Sequence, residues 1–229
     1  MLLVLNRQSS TRLSGMLAKL LNLSRLEAGL EPDLQVTDAA QMIRRAVGQV
    51  ESARDERGLK VDLQTPEYRV LVECDYDRTL QVLDNLLENA IKFSPPGGQV
   101  RIEMNCVTSR PVDVPPTVWS GVRTPRAQAG ILWITVADEG PGVPDAEKPR
   151  IFDRFYQTTA GRSVRERGVG LGLAICREIV RSQGGAIWLA DNPAGPGSVM
   201  NVLLPGAFRA SANTAMNSNT SPAASRNES

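Results

Sequence analysis

The sequence contains no histidine among its 229 residues and has only three cysteines, Cys74, Cys106 and Cys176. The cysteines are far apart, none belongs to a C-x-x-C pair, and no histidine can complete a zinc site with them. Scattered cysteines of this kind are typical of a reducing compartment and of ordinary core packing. The absences therefore argue against a zinc centre.

A long apolar run and an excess of charge of one sign are also missing. The longest apolar run at the start, Met1–Leu5, is too short for a signal-peptide core or a membrane span. The 26 basic and 25 acidic residues give a net charge of +1, which offers no electrostatic reason to propose nucleic acid or an anionic membrane as a partner. We therefore expect a soluble cytoplasmic protein that does not bind nucleic acid.

The pattern of apolar residues predicts helices that alternate with pairs of strands. Helices are expected over 9–28, 38–57, 76–93 and 169–183, and strands over 59–63, 69–73, 100–104, 131–137, 186–190 and 198–204. Hairpin-like strand pairs favour a mixed sheet over a doubly wound parallel one. The predicted fold class is an α/β (α+β) two-layer sandwich, with helices on one face of a mixed sheet.

The chain divides into a short helical start, one domain and a polar tail. Residues 1–30 hold the amphipathic helix, whose apolar stripe indicates packing against another helix, although it can also be a core helix of the same domain. The predicted domain is 36–206. Within it, 107–129 reads as an exposed insertion and 139–168 as a long mobile loop. Residues 207–229 have almost no large apolar side chain and are expected to be disordered.

The predicted helix 76–93 carries a polar motif. Asn85, Asn89 and Lys92 are spaced i, i+4 and i+7 and so share one helix face. A carboxamide oxygen suits Mg²⁺, which keeps most of its other ligands as water and phosphate oxygens, and a lysine one turn on can meet a phosphate. A solvated polar face is the alternative, but two asparagines inside a helix disfavour it because asparagine is a poor helix former.

A second motif follows the predicted strand 131–137. Asp138 ends that strand and can accept a hydrogen bond from an exocyclic amine such as that of adenine. Gly140 and Gly142 allow the backbone to approach a flat ligand closely. An ordinary strand-ending turn is the alternative.

A third motif opens the predicted helix 169–183. Gly168, Gly170 and Gly172 stand at its start, where backbone N–H groups form an anion site. Leu173 stands where a dinucleotide fingerprint needs glycine, and the chain has no P-loop. The glycine cluster alone is weak support for a phosphate site.

In this order and spacing, the three motifs resemble the N, G1 and G2 boxes of the Bergerat-type ATP-binding fold. Histidine kinases, type II topoisomerases, Hsp90 and MutL share that fold. The segment Ile151–Tyr156 resembles the F box of sensor histidine kinases, and Leu23–Gly29 is similar to the end of their second dimerisation helix. Gly195 and Gly197 fit a weaker last glycine box. The resemblance covers about 1–205.

The resemblance implies roles around adenine and metal. Asn89 corresponds to the Mg²⁺ ligand, and Asp138 to the residue that holds the adenine amine. Phe93 corresponds to the aromatic residue beside the adenine, and Gly140 and Gly142 to the turn that lines its pocket.

The resemblance also implies a phosphate side and a lid. Asn85 and Lys92 correspond to residues on the phosphate side, and residues 139–168 to the ATP lid. Phe152, Phe155 and Tyr156 are expected to pack the lid against the core or neighbouring helices. The glycine-rich helix start is expected to carry the polyphosphate through Gly168, Gly170, Leu171 and Gly172.

The sequence departs from this family in two places. Gln157 stands where members often carry arginine, and Arg154, Arg162, Arg165 or Arg167 is the expected substitute. The phosphate-accepting histidine is absent, so a His-bearing dimerisation domain is needed, in cis if the sequence is a fragment or else in trans.

The expected activity is therefore transfer of the ATP γ-phosphoryl group to a histidine outside this sequence, with ATP and Mg²⁺ bound. A response regulator is the expected recipient of the phosphoryl group, and a homodimer is possible through the first helix. The alternatives are a non-catalytic ATP-binding regulatory module and an anti-sigma-type serine kinase.

Overall fold

The computed structural model describes residues 31–123, 129–159 and 169–210, together with Ser24 and Gly29. Ser24 is helical, but the rest of the helix expected over 9–28 lies outside the described residues. The same holds for the tail from 211 to 229. No helix in the described part of the chain combines the length and the apolar character that crossing a membrane requires.

Seven strands and five helices form the described part. In chain order they are β1 (Leu34–Asp38), α1 (Ala39–Gln49), α2 (Glu51–Glu56), β2 (Lys60–Gln64), β3 (Val70–Asp75), α3 (Tyr76–Phe93), β4 (Gln99–Val107), α4 (Pro116–Ser120), β5 (Gly130–Ala137), α5 (Gly172–Ser182), β6 (Ala186–Asp191) and β7 (Ser198–Arg209). A 3₁₀ turn, Lys148–Arg150, interrupts the long segment between β5 and α5.

The strands form one mixed sheet, as the sequence predicts. Its order is β1-β3-β7-β5-β4-β2, and β6 also pairs with β7. Strands β2 and β4 are parallel, while the other pairs are antiparallel. Two pairs of consecutive strands are hydrogen-bonded to each other: β4 with β5, and β6 with β7. Strands β2 and β3 are also consecutive, but they lie on opposite sides of the sheet.

One face of the sheet carries α1, α3 and α5, and the main core lies between these helices and the strands. Fully buried side chains come from both layers, among them Ile43, Leu83, Ile175, Ile102 and Ile134. Burial of such side chains is the main stabilising term, at about 1.5–3 kcal/mol each. The core fixes α3 against α5 and so positions the residues of all three motifs.

Helix α3 has the predicted bounds because both of its ends are encoded locally. The Asp75 carboxylate accepts a 3.1 Å hydrogen bond from the Arg78 N–H, which caps the first turn. Ser94 leaves the helical conformation, as expected before Pro95.

The prediction of a single helix over 38–57 is wrong. This stretch divides at Val50 into α1 and α2, and Gly48 weakens the helical turn before the break. Asp38 caps α1 through a 3.0 Å bond from the Gln41 N–H. It also ends β1, an edge strand that is absent from the predicted elements.

The segment 107–129 is not simply an exposed insertion. It contains α4, and its described part packs on the sheet face opposite the three large helices. Val114 and Val122 are buried there with Ile131 and Leu203. The backbone N–H of Arg123 also donates a 2.8 Å bond to the Gly184 carbonyl. The segment therefore forms a second, smaller core together with residues of the sheet.

The prediction of disorder from residue 207 is also wrong for residues 207–209, which belong to β7. Strand β7 continues to Arg209, and Val70 of β3 pairs with that residue. This pairing joins distant parts of the sequence, so local composition does not reveal it.

Candidate functional site

Three polar or aromatic residues near the end of α3 line one cavity: Asn89, Lys92 and Phe93, all half-buried. The Lys92 ammonium lies 5.4 Å from the centre of the Phe93 ring, within the range of a cation–π contact. The Asn89 amide makes no hydrogen bond to another residue in the described ranges. Its oxygen is therefore available to a ligand.

Asn85 lies one turn earlier and does not line the cavity. Its amide Nδ2 donates a 2.8 Å bond to the Gln81 carbonyl. Its Oδ1 faces the start of α5, where a Cβ added to Gly172 would lie 2.9 Å away. The structure thus places Asn85 where α3 meets α5.

The cavity has a volume of about 170 Å³ and lies between α3, the turn after β5, the lid segment and the start of α5. Its lining is largely apolar, with a few polar groups, which is typical of a small-molecule site. Besides the three α3 residues it is lined by Leu86, Ala90, Val136, Asp138, Pro141, Gly142, Val143, Ile151, Tyr156, Gln157, Thr158, Gly172, Leu173, Leu189, Ser198 and Met200.

Asp138 is held firmly through one of its two carboxylate oxygens. Oδ1 accepts hydrogen bonds from the N–H groups of Gly140 at 2.8 Å and Ser198 at 3.3 Å. Burial raises the pKa of Asp138 above its ordinary 3.8, although these two N–H groups act in the opposite direction. Oδ2 accepts no hydrogen bond from the described residues, so it is available to a donor in the cavity.

Two glycines shape the turn after Asp138. A Cβ at Gly140 would lie 2.9 Å from the Phe93 carbonyl oxygen and 2.8 Å from Asp138 Oδ1. Gly140 therefore lets the turn contact the end of α3, although it does not itself line the cavity. Gly142 does line it and has a φ of +73°, which favours glycine.

The third motif reaches the cavity through Gly172, the first residue of α5. Gly170 has a φ of +74°, and a Cβ there would lie 2.6 Å from the Tyr156 carbonyl oxygen. The Leu171 side chain is 1% exposed and belongs to the core, so only its backbone can meet a ligand. Gly168 lies outside the described residues.

The first part of the expected lid, residues 139–159, has more structure than a mobile loop. Ile151 and Phe152 are buried in the main core. The Lys148 ammonium lies 2.6 Å from both the Asp145 and the Asp191 carboxylates, which attaches the segment to the end of β6. The remainder, residues 160–168, lies outside the described residues.

The lid segment places Tyr156, Gln157 and Thr158 on the cavity wall. Gln157 is thus at the cavity where arginine was expected, while Arg154 is exposed and does not line it. Phe155 is 55% exposed with a φ of 60°, unlike the packed aromatic that was expected. The other candidate arginines, Arg162, Arg165 and Arg167, lie outside the described residues.

Sequence reasoning missed two polar residues around Asp138. Ser198 begins β7 and bonds Asp138 through both its N–H and its carbonyl group. Asn192 donates a 3.0 Å bond from Nδ2 to the Asp138 carbonyl. The available signal was an Asn-Pro pair before Gly195 and Gly197, which indicates only a turn.

A two-layer sandwich with a pocket at the start of a glycine-rich helix is typical of a nucleotide-binding domain. Residues 74–207 match the model of the "Histidine kinase-, DNA gyrase B-, and HSP90-like ATPase" family. The match covers more than half of the chain, which therefore belongs to this family.

Similar proteins narrow the class to sensor histidine kinases. The chain is 38% identical over 140 residues to the sensor histidine kinase WalK of Bacillus subtilis, covering 61% of this chain and 20% of WalK. It is 33% identical over 197 residues to the histidine-protein kinase/phosphatase MprB of Mycobacterium sp. strain KMS, covering 85% of this chain and 33% of MprB. The chain thus spans between a fifth and a third of these relatives.

The fold has a solved counterpart in the crystal structure of full-length ShkA in complex with AMPPNP. The TM-score is 0.67 and the identity 26%, over 90% of this chain and 38% of that one. The chain is thus a histidine kinase-type ATPase catalytic domain.

Proposed function

We propose that this chain is the ATP-binding catalytic region of a sensor histidine kinase, which transfers the γ-phosphoryl group of ATP to a histidine. One observation carries the proposal: Asp138, Asn89 and Lys92 line one cavity. A carboxylate, a neutral amide and an ammonium group there match the amine, metal and phosphate ends of Mg-ATP.

The adenine end of ATP is assigned to the turn after β5. Asp138 Oδ2 accepts the exocyclic amine, since Oδ1 is already occupied by two backbone N–H groups. Phe93 lies beside the ring, and Gly142 lets the backbone approach it. Gly140 acts indirectly by allowing this turn to contact α3.

The phosphate end is assigned to Lys92 and the start of α5. Backbone N–H groups at a helix N-terminus favour an anion. Asn85 lies beside this end, where its Oδ1 leaves no room for a side chain at Gly172. Arg154 is exposed and does not line the cavity, so we do not assign it to this end. We assign Gly168, Gly170 and Leu171 to this end through their backbone groups.

The residues present fit Mg²⁺ as well. Asn89 offers an amide oxygen at the cavity wall, and no group of three or more His, Cys, Asp or Glu side chains among the described residues forms a rival metal site. Mg²⁺ commonly takes one or two protein ligands and completes its shell with water and phosphate. When bound, it neutralises charge on the phosphates.

The accepting histidine has to come from outside this sequence, which contains none. A dimerisation domain supplies it, in cis if the sequence is a piece of a longer protein and otherwise in trans. The imidazole nitrogen attacks the γ-phosphorus, and ADP leaves. A response regulator then receives the phosphoryl group. We place this reaction in the cytoplasm, in keeping with three unpaired cysteines.

The test is incubation of the protein with γ-labelled ATP, Mg²⁺ and a His-bearing dimerisation domain of a sensor histidine kinase. Acid-labile label on that domain is expected. Asn89→Ala should abolish both Mg-ATP binding and labelling, whereas Asn105→Ala, at an exposed position of β4, should leave both unchanged.

Other outcomes select the alternatives. ATP binding without transfer to any dimerisation domain that pairs with this protein supports a regulatory module. Acid-stable label supports a serine kinase. Normal Mg-ATP binding by Asn89→Ala would overturn the site assignment.

A further inference from the structure

Asn192, in the turn between β6 and β7, makes side-chain hydrogen bonds in two directions. Its Nδ2 donates to the Asp138 carbonyl at 3.0 Å and to the Pro196 carbonyl at 3.4 Å. Its Oδ1 accepts a 3.0 Å bond from the Ala194 N–H. One amide group therefore both shapes the turn and attaches it to Asp138.

The backbone of the same turn also contacts Asp138. The Asn192 N–H donates a 3.3 Å bond to the Gly197 carbonyl, which closes the turn. A Cβ at Gly197 would overlap the Asp138 carbonyl oxygen. Only glycine allows this close approach, so turn and aspartate fit together as one unit.

Asn192 bonds the backbone carbonyl of Asp138 and does not line the larger cavity. It lines a smaller cleft of about 60 Å³, which Asp138 also borders together with Gln99 and Arg101. Any effect of Asn192 on a bound nucleotide must therefore pass through Asp138 or the turn.

Asp138 needs such support because it lies just beyond the end of β5 at Ala137. Its N–H still donates to the Ser198 carbonyl at 2.9 Å, but its own carbonyl is bonded by the Asn192 side chain. Removing that bond frees the peptide group that follows Asp138. A small rotation of the backbone there moves the carboxylate, including Oδ2, the oxygen that the proposed function assigns to the adenine amine.

We propose that Asn192 is a positioning residue that sets the place of Asp138 Oδ2 and thereby the selectivity for a purine with an exocyclic amine. This inference rests on the proposed function, because it assumes that Asp138 binds the adenine amine. It goes further by assigning base selectivity to a residue that does not touch the nucleotide.

The test compares two ligands and one substitution. Asn192→Ser keeps a side-chain oxygen that can accept the Ala194 N–H, but its shorter side chain does not reach the Asp138 carbonyl. Dissociation constants are measured by calorimetry for ATP and for purine riboside triphosphate, which lacks the exocyclic amine. Asn105→Ser, on an exposed position of β4, is the matched control.

The wild-type protein is expected to prefer ATP. Asn192→Ser should reduce that preference by about 3- to 10-fold, the range of one net hydrogen bond, through weaker ATP binding alone. Purine riboside triphosphate should bind the variant and the wild type equally. Asn105→Ser should change neither constant.

An equal loss for both ligands would overturn the inference, since it would mean that Asn192 only supports the pocket as a whole. An unchanged preference would overturn it too. A wild-type protein that does not prefer ATP would instead contradict the proposed role of Asp138, a separate failure. If Asn192→Ser does not fold, Asn192→Thr serves the same comparison, because it keeps a side-chain oxygen, adds no charge and lacks the amide donor.

Discussion

The side-chain oxygen Oε1 of Gln183 accepts a 2.8 Å hydrogen bond from the backbone N–H of Asp75. Gln183 follows α5, and Asp75 caps α3, so the bond joins the end of one helix to the start of the other. Thr79 also donates to the same oxygen at 3.3 Å. The Asp75 carboxylate in turn accepts the N–H of Asp33 at 3.2 Å. This buried junction connects the two helices that line the cavity to the segment before β1.

Replacing Gln183 by alanine should lower the free energy of unfolding by about 2 kcal/mol. The reason is that the Asp75 N–H would remain buried without a side-chain acceptor, at a cost of about 1–3 kcal/mol for an unsatisfied group. The Thr79 hydroxyl would also lose its bond to Gln183. Urea denaturation followed by circular dichroism measures the change.

The control for this substitution is Gln64→Ala in β2. Gln64 is exposed and donates only to the nearby Asp62 carboxylate, so its removal should stay within about 0.5 kcal/mol. Equal effects of the two substitutions would show that the junction does not stabilise the domain.

The bounds of α3 could be predicted because the information is local. Asp75 and the Ser94-Pro95 pair lie in the sequence next to the turns that they end. Asn89 and Asp138 stand out by residue type and spacing, but those signals alone leave a polar helix face and an ordinary turn as alternatives. Only the resemblance to the Bergerat-type fold predicts that they belong to one site, and in the structure both line one cavity.

The features that were missed depend on distant residues. Leu34 and Val36 of β1 are exposed at 38% and 60%, so this edge strand has no buried apolar pattern to find. Pairing with β3 alone fixes the end of β7 at Arg209. Asn192 acquires its role from the approach of its turn to Asp138, which no local signal encodes.

The insertion 107–129 offers a test of its packing. Val114→Ala should lower the free energy of unfolding by about 1.5–2 kcal/mol, since it removes fully buried methyl groups worth roughly 0.8 kcal/mol per carbon. Val112→Ala is the matched control, because Val112 is two residues away and 88% exposed. Thermal or urea unfolding compares them. Two equally small effects would mean that the insertion does not pack on the sheet.

The contact between the lid and the start of α5 can be tested at Gly170. Gly170→Ala adds a Cβ that would lie 2.6 Å from the Tyr156 carbonyl oxygen. Gly97→Ala is the control, since Gly97 has a φ of +78° and no neighbouring atom within 4 Å. Both variants carry the cost of a left-handed alanine, about 1–2 kcal/mol.

Only Gly170→Ala should add a packing cost, about 1–3 kcal/mol, and only it should weaken ATP binding, because Tyr156 lines the cavity. Unfolding experiments and calorimetric titration with ATP separate the two effects. Equal destabilisation by both alanines would contradict the contact between Gly170 and the lid.

Asp138→Asn should separate binding from stability. Asparagine retains Oδ1 as the acceptor for the Gly140 and Ser198 N–H groups, but it presents an amide N–H₂ at the position of Oδ2, the oxygen that we propose accepts the adenine amine. Two donors then face each other, and ATP binding at neutral pH should weaken about 10- to 100-fold, as for a lost hydrogen bond to a charged group. Calorimetry with ATP measures the loss.

The same variant should be more stable than the wild type without nucleotide at neutral pH. Burial raises the folded-state pKa of Asp138 above 3.8, so the folded protein holds this proton more tightly than the unfolded chain does. The ionised carboxylate therefore lowers stability above the raised pKa, and this cost disappears as the pH falls from that pKa towards 3.8. Urea denaturation at neutral and acidic pH should show the advantage of Asp138→Asn shrinking on acidification. Wild-type ATP affinity should fall over the same range, because the protonated carboxyl group loses its charge. An advantage that grows on acidification would mean that the pKa of Asp138 is lowered in the folded protein.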